Sequence, residues 1–251
     1  MSAGRLRHRL VKSNHPAVTL AKRTARQIRA TSFPLPRVVS VVLLAAFVGV
    51  RTVFHWCRRV FYAELLFRGY LTSCGARFHT GIFLHWVMGR GQIIVGDDVT
   101  IDGKCSFAFA ARYSEAPTLR IGSRTGIGHD CSFTVGRLIQ IGDDCRLANS
   151  IIMFDASGHA TESELRRRGA PAPDQSVKPI TIENNVWIGN RAIIFPGVTI
   201  GENSIVAAGA VVTASVSPNS FMVGNPARRV ADIPSGIESQ AAATAAATPS
   251  T

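Results

Sequence analysis

The sequence is short of acidic residues and of aromatic ones. Among 251 residues, 16 are Asp or Glu against 28 Lys or Arg, and aromatics make up 8%. The acids are scarcest at one end. Residues 1–68 contain 13 Lys or Arg and one acid, Glu64, whereas 15 acids match the 15 cations that follow. The formal charge of +12 therefore belongs to the first quarter of the chain, and the rest is neutral. No recognised nucleic-acid module accompanies the basic part, which argues against a nucleic-acid partner. Cysteine is also sparse. Cys57, Cys74, Cys105, Cys131 and Cys145 are odd in number and form no CxxC pair, so a disulfide framework is excluded. A reducing, cytoplasmic compartment fits that usage. Residues 1–37 hold nine cations, no acid and no apolar run, so no ordinary signal peptide is expected. Apolar residues reach 46%, enough for a sizeable core.

Four regions follow from these contrasts. Residues 1–37 read as a basic arm, disordered or weakly helical. Residues 38–68 read as an apolar and amphipathic helical segment, 69–231 as the folded domain, and 232–251 as a low-complexity tail. Val38–Val50 carries no charge, yet 13 residues make only about 20 Å of helix against about 30 Å of hydrocarbon. In residues 51–68, Arg51, His55, Arg58, Arg59 and Tyr62 recur on one side, with Val53, Phe54, Trp56, Val60, Phe61 and Leu65 as the apolar remainder. Peripheral membrane contact through residues 1–68 and a helical cap on the domain behind are both consistent with this pattern, and a membrane span is a third option.

From Val95 a six-residue repeat begins. Its rungs open at Val95, Ile101, Ile121, Ile127, Phe133, Ile141, Leu147, Met153, Ile182, Ile188, Ile194, Ile200, Val206 and Val212, all apolar. The fifth position is small or β-branched, and Cys105, Cys131 and Cys145 fall on it, which makes them packing residues. A 3.6-residue helix cannot hold a strict period of six on one face, whereas a three-sided β-coil can. Gly at the second position suits a corner that needs unusual dihedrals or close approach. Asp97, Asp98, Asp143, Asp144, Asn184, Asn185 and Asn203 fit turn chemistry.

The segments ITIENNVWIGNRAIIFPGVTIGENSIVAAGAVVT (180–213), VGNPARRV (223–230) and GHATESELRRRG (158–169) resemble the hexapeptide-repeat acyltransferases. The likeness is greatest to the galactoside, maltose and polysaccharide O-acetyltransferase branch and covers about residues 90–230. It implies a mainly β fold, a left-handed parallel β-helix. That hand is an exception to the usual rule for parallel crossovers. It further implies acetyl-CoA as co-substrate, no metal, a saccharide acceptor and a homotrimer with sites between subunits. His159 matches the catalytic position, where the repeat breaks off before a loop at 160–179. A neutral imidazole there would take the proton of a sugar hydroxyl attacking the thioester.

The resemblance also carries the remaining roles. Trp187 is expected at an outward corner beside the acceptor. Asp155 either orients the imidazole or is a solvated loop acid. His129 lies near an acceptor-facing position. Asn190, Ala208 and Thr213 match positions that meet the pantetheine, with the Asn190 N–H facing the developing oxyanion. Arg228 and Arg229 match phosphate contacts. Two departures stand out: Ala214 replaces a Lys common in relatives, and the loop is longer than in the sugar-specific enzymes. Arg166, Arg167 and Arg168 are either a solvated face or a seat for an anionic acceptor. Other readings are a zinc hydro-lyase, disfavoured because only His129 and His159 lie in the clear repeat; a non-catalytic membrane-bound scaffold; and a transferase for a non-sugar acceptor such as an antibiotic. The implied address is cytoplasmic, on the inner face of a membrane.

Overall fold

The computed structural model describes residues 12–13, 15–32 and 35–234. The first part of the basic arm and most of the low-complexity tail, 235–251, lie outside the described residues. The chain divides into two units, residues 1–52 and 53–251.

In the first unit, α1 (Pro16–Ala30) begins with Pro at its first turn and His15 at its N-cap, whose side chain accepts from the Ala17 N–H. It buries no residue. α2 (Arg37–Arg58) starts here and continues into the second unit through a π-helical turn, Arg59–Glu64, and α3 (Leu65–Arg68). Pro36 precedes the first turn, where a missing N–H costs nothing. Gly69 follows the last turn, and its N–H closes on the Leu66 carbonyl at 3.1 Å.

In the second unit, short strands pass in rotation to three parallel sheets. Sheet A contains Ser73–Cys74, Gln92–Val95, Thr118–Ile121, Leu138–Ile141, Ile180–Ile182 and Thr199–Ile200. Sheet B runs from His79–Thr80 through Thr100–Ile101, Gly126–Ile127, Arg146–Leu147, Trp187–Ile188 and Ile205–Val206 to Ser220–Val223. Sheet C contains Trp86–Met88, Ser106–Phe109, Ser132–Val135, Ile152–Phe154, Ile193–Ile194 and Val211–Val212. Up to Val211–Val212 each strand pairs with the one three strands before it, which is the topology of a three-sided coil, and Ser220–Val223 then pairs with Ile205–Val206. Arg228–Asp232 folds back antiparallel on Ser220–Val223 and covers that edge of sheet B.

The repeat explains the core. All fourteen rung-opening residues are buried, and so are Cys105, Cys131, Cys145 and the other fifth-position residues. The buried thiols donate to carbonyls of the next coil: Cys105 to Gly128, Cys131 to Ala148, and Cys145 to Glu183. At the corners the two proposed uses of glycine separate. Gly122 serves close approach, because an added Cβ would stand 2.5 Å from the Gly142 carbonyl carbon. The left-handed backbone falls to residues such as Asp98, Asp144 and Asn185, with φ of 56°, 59° and 54°, and also to Arg124, Ser150 and Arg191.

The first coil is closed by the helical segment. Phe67 is fully buried and lies over Phe107 with ring centroids 5.6 Å apart, and Phe107 stacks on Phe133 at 5.5 Å. Ala63 is buried beside it in sequence, and Arg58 Nε donates to the Ile82 carbonyl at 2.9 Å. Residues 58–67 thus form the cap that the sequence allowed, and Trp56 packs edge-on to Phe61 beside it.

His85 sits under this cap, edge-on to Phe67 at 4.4 Å. Its Nδ1 accepts from the Cys105 N–H, and the Thr80 hydroxyl lies 2.6 Å from its Nε2 while donating to the Ile101 carbonyl. These partners fit a neutral ring with its proton on Nε2. Burial pushes its pKa down to about 4. The unfolded chain takes up that proton below about 6.5 and the folded chain does not, so stability must fall as pH drops from about 6.5 to 4. The loss across that window should be about 3 kcal/mol, at about 1.4 kcal/mol per pH unit. Denaturation of a His85→Leu variant should show a flatter slope over the same range, whatever its absolute stability. An unchanged slope would refute the neutral-ring reading.

Candidate functional site

The three sheets meet at three corners, and the chemistry-bearing residues divide between them. Along the corner between sheets B and C, turns from four successive coils line an open depression of about 810 Å³. His129, Asn149, Asn190, Arg191, Ala208 and Gly209 form its wall. Four coils at about 4.8 Å spacing make a groove about 14 Å long parallel to the coil axis. A side-chain ladder fixes it: the His129 N–H donates to Asn149 Oδ1 at 2.8 Å, and the Asn149 N–H to Asn190 Oδ1 at 2.9 Å. The Asn190 carbonyl in turn accepts from the Gly209 N–H. His129, Asn190 and Ala208, given different roles by the sequence, are therefore neighbours in one groove. Arg191 was missed; its φ of 59° belongs to the corner turn and leaves its cation in the groove wall.

At the corner between sheets C and A the chain makes two excursions, 110–117 and 155–179. The second carries His159, which is exposed. Its neighbour Ala160 is buried, and the Ala160 N–H donates to the Ala170 carbonyl. Helix α4 (Ser163–Arg167) lies within this loop. From it, Arg166 Nη1 reaches back to the carbonyls of Ala160 and Thr161 at 3.2 and 2.6 Å. Arg167 and Arg168 both pair with Glu164. The three arginines are therefore engaged within the loop, with Arg166 bracing the turn after His159. Tyr113, from the shorter excursion, donates its hydroxyl to the Ala172 carbonyl, and Arg137 pairs with Asp174.

Asp155 corrects both sequence expectations. It is neither solvated nor directed at the imidazole. The side chain is fully buried, and its carboxylate accepts the N–H groups of Gly136, Arg137 and Leu138 at 2.5, 2.7 and 2.8 Å. Burial pushes its pKa above the ordinary carboxylate value, against those three amides, which favour the ionised form. Its backbone holds the loop as well: the carbonyl accepts from the Lys178 N–H at 3.0 Å. Asp155 thus pins the point where the loop leaves and the point where it returns.

Trp187 is also differently placed. It is 54% exposed, but on the outer face of sheet B, in register between Arg146 and Ile205, and not at a corner. Sheet B lies opposite the corner that bears His159, so one chain does not bring the two together. Thr213 is exposed just after Val211–Val212, at the His159 corner. Arg228 and Arg229 stand on the antiparallel end strand of sheet B. Arg228 donates to its neighbour's carbonyl, and Arg229 pairs with Asp232. Among the described residues, no cluster of His, Cys, Asp or Glu is placed to hold a metal ion.

Between the two corners lies sheet C, whose outer face carries Ser106, Ser132 and Thr134 in two adjacent strands and apolar residues on either side of them. Met88, Ile152, Phe154, Ile193, Phe195 and Val211 point outward there, with Phe154 edge-on to Phe195 at 4.9 Å. The outer face of sheet A mixes Gln92, Thr118, Arg120, Gln140, Thr181 and Thr199 with Ile94 and Leu138.

Residues 179–214 match the family described as the hexapeptide repeat of succinyl-transferase. The chain is 32% identical over 139 residues to a galactoside O-acetyltransferase of Escherichia coli, covering 55% of this chain and 63% of that protein. It is 36% identical over 115 residues to a putative acetyltransferase of Schizosaccharomyces pombe, covering 46% and 53%. The chain thus spans less than two thirds of the length of these relatives. Among solved structures, an N-acyltransferase from Bacillus cereus in complex with dTDP and 3-hydroxybutyryl-CoA superposes with a TM-score of 0.56 at 21% identity, covering 73% of this chain and 94% of that one. That likeness concerns the fold.

Proposed function

We propose that this chain, a carrier of the hexapeptide repeat, is an acetyl-CoA-dependent O-acetyltransferase acting on a saccharide hydroxyl, built on a left-handed parallel β-helix. The observation that carries the reading is the division of the site. His159 stands on one edge of sheet C and the groove of Asn190 and Ala208 on the other, and the sheet's outer face between them is apolar at Ile152, Phe154, Ile193 and Val211. Copies arranged around a threefold axis, with sheet C turned inward, bring the His159 corner of one chain to the groove of the next. The exposed apolar face supports that arrangement, since large apolar patches mark interaction surfaces.

In this reading His159 accepts the proton of the acceptor hydroxyl as its oxygen attacks the thioester carbonyl. The C–S bond breaks, and the proton passes on to the departing thiolate. No covalent enzyme intermediate is needed, and positioning supplies much of the rate. Backbone groups along the groove suit an extended pantetheine, with Arg191, Arg228 and Arg229 as cations for its phosphates. The Asp232 partner of Arg229 must yield for that contact. The galactoside acetyltransferase likeness supports a sugar acceptor.

The test is release of free CoA from acetyl-CoA on incubation with mono-, oligo- and polysaccharides, together with light scattering. Acceptor-dependent CoA release by a particle of three chains is the expected result. A monomer with full activity would overturn the shared site, and release on an amino-sugar nitrogen alone would overturn O-transfer.

A further inference from the structure

The helix from Arg37 to Arg68 runs 32 residues, and the most apolar part of it has a mean hydropathy of 2.0 with no residue buried. Val50 is 72% exposed, Leu44 61% and Phe47 60%. Its far end is engaged as the cap of the β-coil through Phe67, whereas every residue from 38 to 54 is exposed. The apolar run Val38–Val50 has no charge to break it, so a groove on another protein would cover only one side. An acyl-chain layer covers most of that surface and leaves one side to the headgroups.

The charges decide how the helix sits. At about 100° per residue, Arg37, Ser40, Arg51, His55 and Arg58 fall in one sector about 60° wide. Val39, Val42, Ala46, Val50 and Val53 lie opposite. Leu44 alone interrupts that sector between Ser40 and Arg51, so the polar groups at the two ends share one side, as in a helix lying in an interface. A span would carry Arg51 into the hydrocarbon, because only 13 uncharged residues precede it, about 20 Å of helix against about 30 Å of membrane core. A span would also separate the basic arm from the β-domain. If the arm stayed on the positive-inside face, the domain would lose access to CoA; that step rests on the acyltransferase reading. Among residues 1–68, Glu64 is the one acid against 13 cations, so the lipid surface that fits is anionic.

We infer that Arg37–Arg58 lies in one leaflet of an anionic bilayer, with its polar side at the headgroups and with the basic arm and the β-domain on the same side. The test is flotation of the full chain with sealed phosphatidylcholine vesicles, with and without about 30% phosphatidylglycerol. The chain should float with the anionic vesicles, and the bound fraction should fall several-fold in high salt. The double variant Val42→Asp, Val50→Asp should bind at least tenfold less with an unchanged melting temperature. Trypsin added outside should cut the arm of the bound chain between Lys22 and Arg29. Protection of the arm would show a span and overturn in-plane seating. Equal flotation of wild type and double variant would place the contact elsewhere, and failure to float, with association of the helices in the absence of lipid, would show a second copy as the occupant. His159→Ala should float like the wild type. Absence of acetyl transfer would remove the CoA step alone, leaving the trypsin result to decide the seating.

Discussion

Replacing His159 by Ala is expected to lower acetyl transfer by about 100- to 10,000-fold, the usual contribution of a positioned general base. The KM for acetyl-CoA should change little, because the groove proposed for the pantetheine lies at the other edge of sheet C. Folding should also be unaffected, since His159 is exposed and contributes nothing to the core. A sharper version uses a second variant. Ala208 is exposed in the groove wall, so Ala208→Trp should block the donor site while leaving His159 intact. Each variant alone should be inactive. Co-expressed in equal amounts, the two should form mixed trimers under the proposed assembly, in which about one site in four joins an intact loop from one chain to an open groove from the next. About a quarter of wild-type turnover should return. A site contained within one chain would give no recovery, and a His159→Ala enzyme with wild-type kcat would remove the histidine from the mechanism.

The parts of the molecule legible in the sequence are those ruled by the coil's period. Each side of the coil consumes six residues, so the inward positions of Ile121, Leu147 or Val206 repeat visibly and prove buried. Other features depend on contacts between distant segments, which a period cannot reveal. The apolar residues of 38–68 look alike in sequence. Phe67 is buried only because the first coil presents Phe107 to it, while Phe54 meets no such partner. The groove was hidden for a related reason. His129, Asn190 and Ala208 are dozens of residues apart, and only the stacking of coils aligns them. Trp187 was misplaced because the first strand residue and the corner before it differ by one or two positions, a shift that turns a side chain from an edge onto a face. The Arg166–Arg168 cluster reads as free charge until the short helix returns Arg166 onto the carbonyls after His159 and sets Glu164 beside the other two.

Asp155→Ala should be the most destabilising single change outside the apolar core. The carboxylate is fully buried and is the acceptor for three consecutive amides, those of Gly136, Arg137 and Leu138. Removing it leaves those donors in a site closed to water. Each unsatisfied buried donor costs about 1–3 kcal/mol, and partial relaxation puts the total at about 3–5 kcal/mol. For a domain of this size that lowers the melting temperature by about 10 °C. Asp155→Asn separates charge from volume. Its amide group must turn two further donors toward amides that already donate, so Asn should rescue little despite its matching size. Activity gives an independent readout. With Asp155 gone, the segment at 136–138 loosens against the loop's two ends, which meet at the Asp155 carbonyl and the Lys178 N–H. His159 then samples a wider range of positions, and kcat should fall at temperatures well below the melting point while the KM for acetyl-CoA holds. A fully stable, fully active Asp155→Asn enzyme would show that the buried charge is dispensable and that the loop is positioned by Arg166 and the Tyr113–Ala172 contact instead.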